Sequence, residues 1–94
     1  MYKDDEITQL ITHHGEAKTL VMCMEECAEL TQAVSKLLRY GLTAEIESNL
    51  IEELADVTIC MAMIRDIAGI RFRHVDEKIK EKMQRNIERI NYDK

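Results

Sequence analysis

Residues 43–68 read TAEIESNLIEELADVTICMAMIRDIA, and the spacing within this stretch decides the fold. Ile46, Leu50, Val57, Cys60, Ile64 and Ile67 recur three and four positions apart. At about 100° per residue that spacing lines one face of an α-helix. Thr43 offers a hydroxyl to the first-turn amides as a plausible N-cap, and a helix is predicted over about 44 to 68. Two acids interrupt the stripe. Glu53 points close to Val57, Cys60 and Ile64, and Asp56 falls on the same face beside Met63. A buried carboxylate without a partner costs several kcal/mol, so two of them on an apolar face call for a cation, whether Arg, Lys or a metal. The competing reading makes them solvated acids at the edge of an amphipathic helix, the usual fate of charged helical residues.

The preceding segment carries the same signature. A helix over about 17 to 39 stops at Gly41, and its apolar stripe is read as Leu20, Met24, Cys27, Thr31, Val34 and Leu38. Glu26 and Glu29 flank that stripe three residues apart, with Glu25 just outside. Two antiparallel helices, each offering an acidic pair, would gather Glu26, Glu29, Glu53 and Asp56. Four carboxylates that close cannot all stay ionised without counter-charge. A hard divalent cation suits an all-oxygen donor set, Mg²⁺ especially where phosphates complete its octahedron.

Two more helices flank this pair, over about 4 to 13 and about 75 to 91, with breaks at His13-His14-Gly15, Tyr40-Gly41-Leu42-Thr43 and Gly69. On the last, Val75, Ile79, Met83, Ile87 and Ile90 form an apolar stripe, and Lys78, Lys82, Arg85 and Arg89 form a basic ridge beside it. The ridge could meet phosphates, or its cations could pair with Glu77, Glu81 or Glu88 on a solvated face. Asn86, between ridge and stripe, could read a base or sugar edge, or sit as a satisfied amide.

With three Gly, no Pro and no Trp, the chain lacks most of the punctuation that hairpins need, and an all-α fold is expected. At 94 residues it reads as a single domain over 1–94. A domain this short buries only about 60 to 65% of its unfolded surface, so a four-helix bundle completed by homo-oligomerisation is expected. No apolar run approaches the ~18 residues of a membrane span. The N-terminus is acidic where a signal peptide is basic and apolar, and the odd number of Cys suits a reducing cytoplasm. The net charge of −5 argues against nucleic-acid binding by the whole surface. It is unevenly spread: residues 1–60 carry 4 Lys+Arg against 12 Asp+Glu, and residues 61–94 carry 9 against 6. An acidic half attracts cations and a basic half attracts phosphates.

The acidic residues together resemble a known pattern. Glu25-Glu26-Cys27-Ala28-Glu29 is similar to EExxE and Glu53-Leu54-Ala55-Asp56 to ExxD, with 23 residues between them. That is the signature of MazG-like, all-α nucleotide pyrophosphohydrolases, and Lys82, Asn86 and Arg89 resemble the Lys/Asn/Arg pattern of their last helix. The resemblance, over about 15 to 90, implies that Glu26, Glu29, Glu53 and Asp56 bind Mg²⁺, with Mn²⁺ as the alternative ion. It implies that Glu25 is a supporting acid near the water nucleophile, and that Lys82, Asn86 and Arg89, on the ridge with Lys78 and Arg85, contact the nucleotide. The implied reaction splits a nucleoside triphosphate, ribo or deoxyribo, into a monophosphate and pyrophosphate in a homodimer or dimer of dimers. Where many relatives carry Gln near the start of the second helix this chain has Lys18-Thr19, so the resemblance implies no base preference.

Other readings are a helical module that binds a nucleotide or protein without hydrolysis, and an enzyme like phosphoribosyl-ATP pyrophosphatase, which has a related fold and similar acidic motifs. Cys23, Cys27 and Cys60 with His13 and His14 could be drawn as a zinc site, but their spacing lacks the close CxxC of structural sites, and buried reduced thiols are expected. The Met residues read as core filler, and His13, His14 and His74 as helix-end residues that cap or face solvent.

Overall fold

The structure, a computed structural model, describes residues 2–93, so the ends of the domain expected over 1–94 lie outside the described residues. Four α-helices follow in order: α1 (Asp4–His14), α2 (Glu16–Tyr40), α3 (Ala44–Ala68) and α4 (Phe72–Asp93). The expected all-α chain is present, with α4 beginning three residues earlier than the spacing indicated, at Phe72, whose ring centre lies 5.2 Å from the Arg65 guanidinium carbon.

Local chemistry sets the ends. The Thr43 hydroxyl accepts the Ile46 amide at 3.2 Å, as expected of an N-cap, and Gly69 closes α3 in the left-handed region. Between α1 and α2 a single residue makes the turn. Gly15 has φ 84° and ψ 156°, its amide donates to the Ile11 carbonyl, and its own carbonyl accepts the Thr19 hydroxyl at 2.7 Å. That last bond satisfies a hydroxyl that is completely buried.

The core lies among α1, α2 and α3, built on Ile7, Ile11, Cys23, Cys60, Ala62 and Met63. On α2 the residues turned inward are Thr19, Cys23, Glu26, Leu30, Ala33 and Leu37, a three-and-four-residue series. This corrects the sequence reading: Leu20, Met24, Cys27, Thr31, Val34 and Leu38 are exposed. The helix carries two interleaved apolar series, and the one with small residues goes inside because Thr19, Cys23 and Ala33 let α3 approach closely. Cys27 is likewise an exposed free thiol where burial was expected, and among the described Met residues Met22 and Met63 are drawn inward, with Met24, Met61 and Met83 exposed. Cys23 Sγ lies 3.8 Å from the Cys60 carbonyl oxygen, which sets the antiparallel register of α2 on α3.

Helix α4 stands apart. Within α4 only Val75 and Asp76, in its first turns, are partly buried, and Ile79, Met83, Ile87 and Ile90 are each about half exposed. The Cα radius of gyration is 16.4 Å, against about 12 Å for a compact domain of this length. An open groove of 550 Å³ runs between α3 and the start of α4, walled by Met61, Ile64, Phe72, Val75 and Ile79. Among the described residues no helix is long and apolar enough to cross a membrane.

Candidate metal and nucleotide site

The antiparallel register carries the acids together. With Cys23 against Cys60, one turn further along α2 brings Glu26 opposite Asp56, and the next residue of that face comes level with Glu53. Carboxylate oxygens of Glu26, Glu53 and Asp56 lie within 4.8 Å of one another. One oxygen each of Glu26 and Glu53 is fully buried and has no hydrogen-bond partner. Such orphaned oxygens are rare in folded proteins, because each loses its water without replacement.

The electrostatics follow from that crowding. Burial, reinforced by the neighbouring charges of Glu29, Asp56 and Glu53, pushes the Glu26 carboxyl up to about 7. The Glu53 carboxyl is raised by burial first and then by Glu29, Asp56 and Glu52. Among the described residues neither acid forms an ion pair with a Lys or Arg. No ion pair among the described residues supplies the counter-charge expected from the sequence, and an all-oxygen, convergent, under-solvated donor set fits a hard divalent cation.

Each expected site residue can now be located. Glu26, Glu53 and Asp56 converge. Glu29 is exposed at the rim, close enough to act on both Glu26 and Glu53. Glu25 is exposed on α2, outside the convergent trio. Lys78, Lys82, Arg85, Asn86 and Arg89 all lie on the exposed length of α4, so the ridge and the carboxylates do not meet in a single chain. Part of the ridge is paired along its own helix: Glu81 bridges Lys78 at 2.9 Å and Arg85 at 3.0 Å. Lys82 and Arg89 have no ion-pair partner among the described residues.

One residue that the sequence reading placed at a helix end, capping or facing solvent, lies beside the cluster. A cavity of 180 Å³ adjoins the cluster, and the half-buried His14 of α1 lines it together with Leu10, Met22 and Met63, sharing Glu26 and Asp56 with the cluster itself. A helix-end His carries no periodic signal of burial. Only the fold of α1 back over α2 and α3 turns it inward.

Residues 21–92 match the model of the MazG-like family. No curated protein and no solved structure matches at a significant level.

Proposed function

The chain belongs to the MazG-like family, whose members point to a nucleotide pyrophosphohydrolase-type role, and from that premise we propose that it is a Mg²⁺-dependent nucleoside triphosphate pyrophosphohydrolase. It would act on ribo- or deoxyribonucleoside triphosphates, releasing a monophosphate and pyrophosphate. The observation that carries the reading is the pair of buried, unpartnered oxygens on Glu26 and Glu53, converging with Asp56.

Glu26, Glu53 and Asp56 would hold the ion, with Glu29 completing the donor set from the rim. Mg²⁺, or Mn²⁺ in its place, supplies neutralisation of the phosphate oxyanions and acidification of the attacking water. Glu25, exposed beside the donor set, takes the proton as the water oxygen bonds to the α-phosphorus and the bond to the β-phosphate breaks. Lys82, Asn86 and Arg89, with Lys78 and Arg85 on the same ridge, hold the phosphates and sugar.

That assignment needs the ridge brought to the carboxylates, and a homodimer or dimer of dimers would do so while covering the exposed stripe of α4. Supporting it are the stripe itself and the expanded dimensions of the single chain. Three free thiols and the demand for triphosphate and Mg²⁺ suit a cytoplasmic setting for this activity.

The experiment is pyrophosphate release from a panel of canonical nucleoside triphosphates, with and without EDTA, for wild type and Glu53→Gln. Metal-dependent release lost in Glu53→Gln, with helicity retained, is the expected result. Wild-type turnover by that variant would refute the assignment, and silence across the panel with Mg²⁺ still bound would favour the binding-module reading.

A further inference from the structure

Resting on that reading, the way α4 pairs its own charges indicates how firmly the site holds what it releases. Lys78, Lys82, Arg85 and Arg89 share one side of the helix, and Glu81 stands at the border of that ridge. Three residues after Lys78 and four before Arg85, it has a cation one turn away in each direction. Each carboxylate oxygen takes one of them. Oε2 accepts from Lys78 Nζ at 2.9 Å and Oε1 from Arg85 Nη2 at 3.0 Å. Lys78 foremost, then Arg85 and Lys82, hold the Glu81 carboxyl below its ordinary value, so it is ionised wherever phosphates are. Lys82 and Arg89 have no ion-pair partner among the described residues, so one carboxylate divides the ridge into an occupied pair and an open pair.

We propose that Glu81 is a built-in competitor for the ligand's phosphates, occupying Lys78 and Arg85 with its own carboxylate so that the ridge lets go of the pyrophosphate it has received.

The openness of these pairs carries the argument. The side chains are 58% exposed at Lys78, 51% at Glu81 and 49% at Arg85. Pairs this open are weak, and they exchange partners without disturbing the core. A phosphate offers the same ammonium and guanidinium stronger bonds, so it displaces the carboxylate. Any phosphate that reaches Lys78 or Arg85 is then held less tightly by whatever the bonds to Glu81 were worth. Substrate and product are weakened alike, which costs nothing in turnover at saturation and shortens the stay of the product. The other acids of α4 are placed differently. Asp76 pairs with Lys80 off the ridge, Glu88 accepts from Gln84, and Glu77 has no hydrogen bond or ion pair among the described residues.

The test is calorimetric binding of inorganic pyrophosphate in Mg²⁺ at low ionic strength, where such pairs are least screened. Wild type is compared with Glu81→Gln, Glu77→Gln, Lys78→Ala and the Glu81→Gln/Lys78→Ala double variant, with helicity checked by circular dichroism. Glu81→Gln is expected to bind pyrophosphate about fivefold more tightly, the scale of two exposed ion pairs released. Glu77→Gln removes the same charge from the same helix without freeing a ridge cation, and should change affinity by less than about twofold. Lys78→Ala should cost about threefold once Glu81 is replaced, and far less while Glu81 still occupies that lysine.

Unchanged or weaker pyrophosphate binding by Glu81→Gln overturns the proposal. So does an equal gain in Glu77→Gln, or a cost of Lys78→Ala that is the same in both backgrounds. If no variant binds pyrophosphate and triphosphates are still hydrolysed with Mg²⁺, this inference fails while the pyrophosphohydrolase reading stands. If Glu81→Gln tightens pyrophosphate binding and no triphosphate is hydrolysed, the inference holds for the ridge and that reading fails.

Discussion

Removing divalent cations and raising the pH is expected to destabilise this protein across a range where most proteins are indifferent. The Glu26 carboxyl titrates at about 7 in the folded chain against an ordinary value of 4.5. Below 4.5 the group is protonated whether the chain is folded or not, and its contribution to stability is fully present. Between 4.5 and about 7 the unfolded chain releases a proton that the folded chain keeps, so stability falls as pH rises. Across that window each pH step of one costs about 1.4 kcal/mol, giving roughly 3 kcal/mol at most. Solvent screening of a side chain that is only partly buried reduces this to about 1–2 kcal/mol.

Glu53 is raised in the same direction and reinforces the trend. Glu81, lowered chiefly by its bond to Lys78, works in the opposite sense, but its window lies below 4.5 and does not overlap. The assay is thermal unfolding followed by circular dichroism in EDTA, at fixed protein concentration, between about pH 5 and pH 7.5. At about 4–8 °C per kcal/mol for a domain of this size, the melting temperature should drop by roughly 5–15 °C. Glu26→Gln should flatten the profile. Saturating Mg²⁺ should reverse it, because the ion binds only the deprotonated carboxylates and stabilises the state that it occupies. A flat or rising wild-type profile in EDTA, or an unchanged slope in Glu26→Gln, would refute the reasoning.

Three further perturbations test other parts of the structure. Ile87→Asp places a charge in the exposed stripe of α4; wild type is expected to run by light scattering as the proposed homo-oligomer and the variant as a monomer, with turnover falling alongside it. Lys82→Ala, removing an unpaired cation of the ridge, should raise the KM for triphosphates about tenfold while Mg²⁺ binding by calorimetry stays constant. Ala33→Leu adds volume where α2 meets α3 at a residue only 1% exposed, and should cost about 1–3 kcal/mol in a denaturant titration.

The sequence made some of these features plain and concealed others, for identifiable reasons. The bounds of α3 were legible because Thr43 caps it and Gly69 ends it, but Ile64, read as part of its buried face, is exposed, and Ala62 and Met63 are buried in its place. The inner face of α2 was misread because hydropathy favours the larger side chains of Leu20, Met24, Val34 and Leu38, whereas close helix packing selected Thr19, Cys23 and Ala33. Glu26 was therefore expected at the edge of a stripe, and it stands in the middle of one. The convergence of Glu26, Glu53 and Asp56 could be anticipated because it follows from i, i+3 spacing on paired helices. The separation of α4 from the acids could not, since periodicity describes a face and says nothing of what lies opposite it. His14 was hidden for the same reason, as its burial depends on the angle between α1 and α2.

That angle rests on one residue. Gly15 adopts φ 84°, a conformation that side chains rarely tolerate, yet a Cβ built there would meet nothing within 4 Å. A substitution at this position would clash with no neighbour and act through backbone torsion alone, swinging α1 and with it Leu10 and His14. The outline of the cleft beside the acids is thus inherited partly from a residue that does not line it. A change at this hinge would re-aim an entire helix over the acidic cluster, leaving every residue that lines the cleft and every acid that faces it as they were.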